Sequence, residues 1–428
     1  MFSPLLPNYF LCFIVLFVVF ANSEKHLIDL KSFKGGVETK IDADTLPFSI
    51  YVSASSNDSD SLKQIYVYTT DDGVKSLYDL QKMKYVSNSG LLQPFVVNSG
   101  DAWISTQLTD EQMDKLRGYL YVTTTKQLKS RKRFFTFFLC FHISRFKDTN
   151  GFFVFDVTMS EKIEIDSLQS DDVTLVFLNT NFDTYPWQSS IINSWSQGID
   201  STVFIYEGVP TDDVEKSSSQ MFSNPVVTAS GDIVPIPKVE KFSLSLGAFY
   251  VKIHKGVNFI IEPGYVELDG FQTTAMTTTG VYMKPFNVPD KNITIVTLHD
   301  PKYNGTVGMN IVGHVPDNSQ VGLYVDNGQQ DGAPLTPTDQ AVGFDAFTIG
   351  QNITIKPNGT TAGEFCVQYY VIQGNQQIVS STILPGRQST AGPTIKSTEN
   401  PIESTTKSTA FTKFLICGLI PVLGAIMC

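Results

Sequence analysis

Four histidines lie outside the single strongly basic stretch of this chain: His26, His254, His299 and His314. A histidine acting as a general base needs a nucleophile within hydrogen-bond reach and a third group to orient it. These four are far apart, and the sequence offers no Gly-x-Ser-x-Gly elbow, His-Glu-x-x-His pair or glycine-rich phosphate loop to join them. Each reads as a surface or capping residue. The acidic residues Asp71, Asp72, Glu207 and Asp326 stand at turns. A calcium site takes six to eight oxygen ligands, and these positions supply one or two per segment, so turn formation explains them. The sequence therefore assigns no catalytic, cofactor-binding or metal-binding residue, and a non-enzyme is expected. The alternative is an extracellular hydrolase using two carboxylates on a glycan, although no pair of acids is singled out by context.

The segment NFDTYPWQSSIINSWSQG, residues 181–198, is the best candidate for recognition. Its Tyr185, Trp187 and Trp195 read as a polar loop whose rings would stack on sugars or anchor a protein, because Trp and Tyr join a large apolar area to a polar tip. Rings plugging the end of a core are the competing reading. Asn-x-Ser/Thr sequons occur at Asn57, Asn292, Asn304, Asn352 and Asn358, four of them crowded between 292 and 358. They fit a chain that enters the secretory pathway.

Those side chains need a scaffold, and composition narrows it. The 428 residues are rich in Val, Ile, Thr, Ser, Phe, Tyr and Gly, which suits pleated, half-buried strands joined by turns. The formal charge of −11 disfavours nucleic acid as a partner. Residues 1–23 read as a signal peptide, with a signal anchor as the rival. Residues 386–410 form a Ser/Thr-rich stalk expected to be disordered and O-glycosylated. Residues 411–428 match a GPI-type signal with Ser404 as attachment point, the rival being a short transmembrane tail. That places the protein on the outer leaflet at the cell surface, or secreted. If Cys12 leaves with the leader and Cys417 and Cys428 with the tail, Cys140 and Cys366 remain, too few for a disulfide framework.

Three landmarks recur in one order along the chain. A strand ending at an acidic turn glycine appears at Gly73, Gly208 and Gly328; a second turn follows in PFVVNSGDAWIST, PVVTASGDIVPIP and DAFTIGQNITIKP; a closing strand comes last in GYLYVTTT, GAFYVKI and GEFCVQYYVI. The expected units are 24–125, 148–256 and 280–385, each a sandwich of seven or eight short antiparallel strands, with a linker at 257–279. The first interval is about a dozen residues longer than the second. The excess falls in KQLKSRKRFFTFFLCFHISRFK, residues 126–147, which reads as a membrane- or partner-touching insert, an inter-domain linker, or a stretch absent from the mature protein.

On the residues PFVVNSGDAWIST and YLYVTTT in the first unit, and VVTASGD and FYVKI in the second, the chain resembles the CUB-like domain family of secreted nematode proteins. The resemblance implies three tandem CUB-like antiparallel β-sandwiches outside the cell and a role in responses to microbes or stress, with an extracellular protein or glycan as partner. It implies no reaction. A purely structural coat protein is a further alternative. Ordinary CUB domains carry paired cysteines and often a calcium site of Tyr, Glu and Asp. This chain departs from both, since Cys366 has no evident partner.

Overall fold

The structure, a computed structural model, describes residues 27–43, 45–70, 73–82, 90–92, 94–123, 151–158, 162–166, 172–180, 189–210, 219–300, 303–325, 329–330, 341–346 and 352–377. The leader, the 126–147 insert, Tyr185, Trp187, the stalk, Ser404 and the apolar tail lie outside the described residues.

The first sandwich uses β1 (Leu27–Asp29), β2 (Thr39–Ile41), β3 (Phe48–Ala54), β4 (Ile65–Thr69), β5 (Gly73–Ser76), β6 (Leu91–Leu92), β7 (Phe95–Val97), β8 (Ala102–Thr106) and β9 (Gly118–Thr123). Its inner sheet runs β1-β9-β3-β7 and its outer sheet β2-β8-β4-β5, all neighbours antiparallel. Alternation decides which sheet is which. In β4 (IYVYT), Ile65, Val67 and Thr69 are buried while Tyr66 and Tyr68 face outward, the period-2 pattern of a half-solvated strand. In β3 (FSIYVSA) every residue is buried, the mark of a sheet covered on both faces. Ile50, Val52, Leu120 and Val122 of the inner sheet meet Ile65, Val67 and Ile104 of the outer one. Gly100, at φ +70, turns the chain from β7 into β8, and a Cβ there would lie 2.5 Å from Thr70 Oγ1. That is the role of the first Ser-Gly-Asp turn.

The second sandwich adds β10 (Gly151–Asp156), β11 (Ile163–Asp166), β12 (Asp172–Leu178), β13 (Ser190–Gln197), β14 (Thr202–Glu207), β15 (Gln220–Asn224), β16 (Val226–Val227), β17 (Ile233–Val234), β18 (Lys238–Val239), β19 (Phe242–Leu244), β20 (Ala248–His254) and β21 (Val257–Pro263). Its inner sheet is β15-β14-β20-β12-β10-β6, closed at one edge by a strand of the first sandwich. Its outer sheet is β11-β21-β13-β19. Residues 257–263, expected as linker, are thus an interior strand: β21 pairs with both β11 and β13. Its alternating VNFIIEP buries Val257, Phe259 and Ile261, a signal a linker would lack.

The third sandwich comprises β22 (Phe271–Gln272), β23 (Thr278–Lys284), β24 (Ile293–Val296), β25 (Tyr303–His314), β26 (Gln320–Val325), β27 (Gln329–Gln330), β28 (Ala341–Ala346), β29 (Asn352–Asn358) and β30 (Glu364–Gln377). Its inner sheet is β18-β23-β30-β25-β28 and its outer sheet β22-β24-β29-β26-β27. Strand for strand, β23-β30-β25-β28 reproduces β1-β9-β3-β7, and β24-β29-β26-β27 reproduces β2-β8-β4-β5. Gly308 permits one close approach in the inner sheet: a Cβ would lie 2.3 Å from the ring of Tyr370, its cross-strand partner.

One repeated landmark needs correction. Gly73 follows β4 and Gly328 follows β26, which are equivalent strands, but Gly208 follows β14. That strand lies beside the closing strand β20, in the place of β3 and β25. Any strand ending in an acidic turn glycine looks alike in one dimension, so the landmark matched unlike partners. The sheets are antiparallel as expected, apart from the parallel pairings β10–β12, β18–β23 and β22–β24.

The three sandwiches pack directly on one another. Tyr51 and Tyr121 on the outside of the first inner sheet pack on Leu92, Phe152, Val154, Val176, Tyr206 and Tyr250 of the second. Inside this apolar contact Ser53 donates to Asp156. The second core in turn continues into Val281, Met283, Val312 and Cys366 of the third inner sheet. All three inner sheets are therefore buried on both faces, which explains the unbroken burial of β3, β10 and β23.

Candidate functional site

With the inner sheets occupied, the solvent-facing surfaces belong to the outer sheets. On the first outer sheet, register sets Lys40, Trp103, Tyr68 and Val74 in one row across β2, β8, β4 and β5. The half-buried rings of Tyr68 and Trp103 stack with centroids 5.7 Å apart and planes inclined by 16°. Val74 is 65% exposed at one end of the row. At the other, Lys40 Nζ is 2.8 Å from Asp101 Oδ1. Ser105 and Tyr66 form the next outward pair. The result is an aromatic strip with an exposed valine at one end and the Lys40–Asp101 pair at the other.

The corresponding row of the third sandwich is Thr294, Thr354, Tyr324 and Gln330. Here Lys356 Nζ sits 3.7 Å over the Tyr324 ring in a cation–π contact. In β29 (NITIKPN), Ile353, Ile355 and Pro357 are buried and the alternate positions face outward. Two sequon asparagines, Asn352 and Asn358, share that outward face, and the exposed Asn292 lies beside it, one residue before the buried Ile293 that pairs with Ile355. Asn57 is exposed in the short 3-10 turn Ser56–Asp58, and Asn304 lies in β25.

Of the three proposed ligand residues, Trp195 alone falls among the described residues, and it is not in a loop. It belongs to β13, where the register shifts between Asn193 and Ser196 and Ser194 takes φ 53. The bulge turns the following side chain inward. Trp195 stacks on Phe259 at 5.2 Å and meets Phe222 edge-on at 5.4 Å, while its Nε1 donates to Gln197 Oε1 at 3.0 Å. It packs against the second core, as the plugging reading expects. The sequence reading passed over Trp103 and Tyr68 because only cross-strand register brings them together.

Polar groups lock the second sandwich to the third. The Gln368 side-chain amide imitates a strand: it donates to Ser223 O at 2.7 Å and accepts from Ser223 N at 3.0 Å. Asp345 accepts from Ser230 N at 2.7 Å and from the Tyr370 hydroxyl, and Tyr370 Oη accepts from Ala229 N at 3.3 Å. The second repeated turn, with Gly231 at φ +92, therefore serves the small hairpin β16–β17 and docks on the third sandwich. Glu240, buried, accepts from Thr274 N at 2.6 Å and from the hydroxyls of Thr274 and Thr278.

Nearby, Glu207 at the end of β14 comes within electrostatic reach of Glu364 at the start of β30. Burial, then Glu207, pushes the Glu364 carboxyl up to about 7. Burial also raises Glu207, against the opposing effect of His314. The thiol of Cys366, fully enclosed beside them, is raised by burial first and by both carboxylates next. Of the acidic turn residues and histidines, the described structure brings Glu207 and His314 together; His254 instead pairs with Asp172 at 2.8 Å on the surface. Among the described residues no group of three or more His, Cys, Asp or Glu side chains could hold a metal ion.

These observations define a class: an all-β protein of fused sandwiches with solvent-facing outer sheets. The chain belongs to the family described as transmembrane glycoprotein, whose model matches residues 45–423. Among the described residues no helix is long and apolar enough to cross a membrane, and the C-terminal apolar run lies outside them. No curated protein matches the chain. Among solved structures, the CUB1-EGF-CUB2 domains of rat MASP-1 are 10% identical over 51% of this chain and 99% of that one, with a TM-score of 0.17. The CUB1-EGF-CUB2 domain of human MASP-1/3 is 9% identical over 50% and 100%, with a TM-score of 0.16. A β-porphyranase of glycoside hydrolase family 86 from Bacteroides plebeius is 11% identical over 49% and 34%, with a TM-score of 0.13. At such TM-scores these likenesses carry no argument.

Proposed function

We propose that the chain is a non-catalytic cell-surface glycoprotein that holds extracellular glycans against the aromatic row of its first sandwich. One observation carries the reading: the stacked rings of Tyr68 and Trp103 stand on adjacent strands at outward positions of a solvent-facing sheet, bordered by the Lys40–Asp101 pair. A pyranose ring has an apolar face that stacks on such a platform, and its hydroxyls then meet the charged and hydroxyl groups at the rim. Asn352 and Asn358 stand on the third outer sheet and Asn292 beside it, whereas no sequon stands on a strand of the first outer sheet.

The resemblance to nematode CUB-like proteins supports a host-defence or stress-response setting. Ser404 and the apolar tail support a lipid anchor in the outer leaflet, whereas the family's description favours a membrane span by residues 411–428. Release from intact cells by a phosphatidylinositol-specific phospholipase is expected for the anchor; retention assigns the span. A glycan array read with the wild-type protein and with Trp103→Ala tests the ligand class. Saccharide binding lost in the variant supports the proposal, and an array without signal rejects it. Turnover of any arrayed glycan, abolished by a single Asp or Glu substitution, would make the protein an enzyme instead.

A further inference from the structure

The residues between β21 and β22 belong to no strand, yet they are held in place. Gly264 N donates to Ser189 O at 3.0 Å and Val266 N to Ser243 Oγ at 3.3 Å. Val266 and Leu268 are buried in the third core, whereas Tyr265, Glu267 and Asp269 are exposed. This alternation is that of an extended backbone, which sends successive side chains to opposite sides. Two apolar residues act as pins, and the other three form a ridge toward solvent. Beside it, Lys291 Nζ stands 3.5 Å from Glu267 Oε1 and 3.3 Å from Asp269 Oδ2, and Asp269 Oδ1 accepts from Thr294 N at 3.1 Å. Tyr265 itself is 55% exposed, while inner-sheet tyrosines such as Tyr121, Tyr250 and Tyr370 are buried. Gly264, at φ +146, breaks the line of β21 just before it.

We propose that Tyr265 is a tyrosine-sulfation site, modified by a lumenal sulfotransferase as the chain passes through the secretory pathway. The inference rests on the cell-surface reading above, which the family's description supports, and not on the glycan-holding strip of the first sandwich. Two features of the ridge favour it. The ring projects from a segment outside the sheets, so a transferase reaches it without parting a strand ladder. A transferase that binds a polyanionic nucleotide sulfate also needs a basic cleft, and Glu267 and Asp269, on the same side as Tyr265, offer that cleft the complementary charge.

In the transfer the phenolic oxygen attacks the sulfur of the donor. The new O–S bond forms as the bond from sulfur to the donor's phosphate oxygen breaks, the nucleotide leaves with that oxygen, and nothing is oxidised or reduced. Burial first and Glu267 next raise the Tyr265 phenol above its ordinary value, against Lys291. The phenol therefore starts protonated, and its proton passes to a base on the transferase. The product is an aryl sulfate that adds a fixed negative charge in line with two carboxylates.

The test is expression of the full chain in a secreting cell beside a reporter protein that the same cell sulfates on tyrosine. The Tyr265 peptide is then read by mass spectrometry under conditions that preserve the ester. Endoglycosidase-sensitive glycans on the same molecules verify the route, so a failed modification is distinguished from a failed cell-surface reading. A phosphatase-resistant sulfate ester on Tyr265, lost in Tyr265→Phe, supports the proposal. An unmodified Tyr265 peptide beside a sulfated reporter overturns it, as does a phosphatase-labile group, which would be phosphate. Glu267→Gln keeps an acceptor for Asp269 N, which now donates to Glu267 Oε1 at 3.1 Å, while removing one charge from the ridge. It should lower sulfation several-fold, and sulfation equal to wild type would reject recognition through the ridge.

Discussion

The first and third sandwiches share one strand order yet turn different chemistry toward solvent. Where the first sets Trp103 against Tyr68, the third sets Thr354 beside Tyr324 and covers that ring with Lys356. Where the first carries an aromatic strip, the third carries Asn352, Asn358 and, at its border, Asn292. The inner faces of the two outer sheets are interchangeable in kind, Ile65, Val67 and Ile104 against Val321, Ile353 and Ile355. Core packing thus constrains alternate positions only, and the outward positions are free to diverge into a recognition face and a carbohydrate-bearing face.

The comparison can be broken at its foundations first. The strand that opens each repeat ends differently, β23 on Lys284 and β1 on Asp29. Lys284→Met should cost about 3 kcal/mol, because it orphans buried carbonyls that now share one ammonium. Urea unfolding would register it, and a loss below 1 kcal/mol would mean that the loop re-satisfies itself. Trp103→Ala should weaken glycan binding about 30-fold, near 2 kcal/mol, with the melting temperature little changed. Asp29, whose Oδ1 accepts from Lys31 N at 2.9 Å, caps a single turn, so Asp29→Ala should cost only about 1 kcal/mol in the same unfolding experiment. The smallest change in folding energy should come from Trp103→Asn, which creates an Asn-Ile-Ser sequon with Ser105 and gives the first face the chemistry of the third. In a secreting cell it should add one endoglycosidase-sensitive mobility step, which Ser105→Ala in the same chain should abolish.

Much of the fold was legible because burial on one face leaves a period of two. The strands IYVYT, AWIST and NITIKPN, and the turn at Gly100, follow from their own residues. The pairings of β6 with β10 and of β18 with β23 did not, since two residues joined to a distant sheet have no local signature. Nor did the bulge at Ser194, which sets Trp195 in a strand rather than the expected loop. The candidate surface was half visible: sequons are read locally, whereas the Trp103–Tyr68 stack depends on partners remote in sequence.

The short strands lent between sandwiches bear on self-association. An unpaired strand edge is a template on which another chain can polymerise, and here β6 caps the free side of β10 while β18 caps that of β23. A fragment beginning after Val239 would bare the β23 edge, and growth into linear assemblies would be its natural fate.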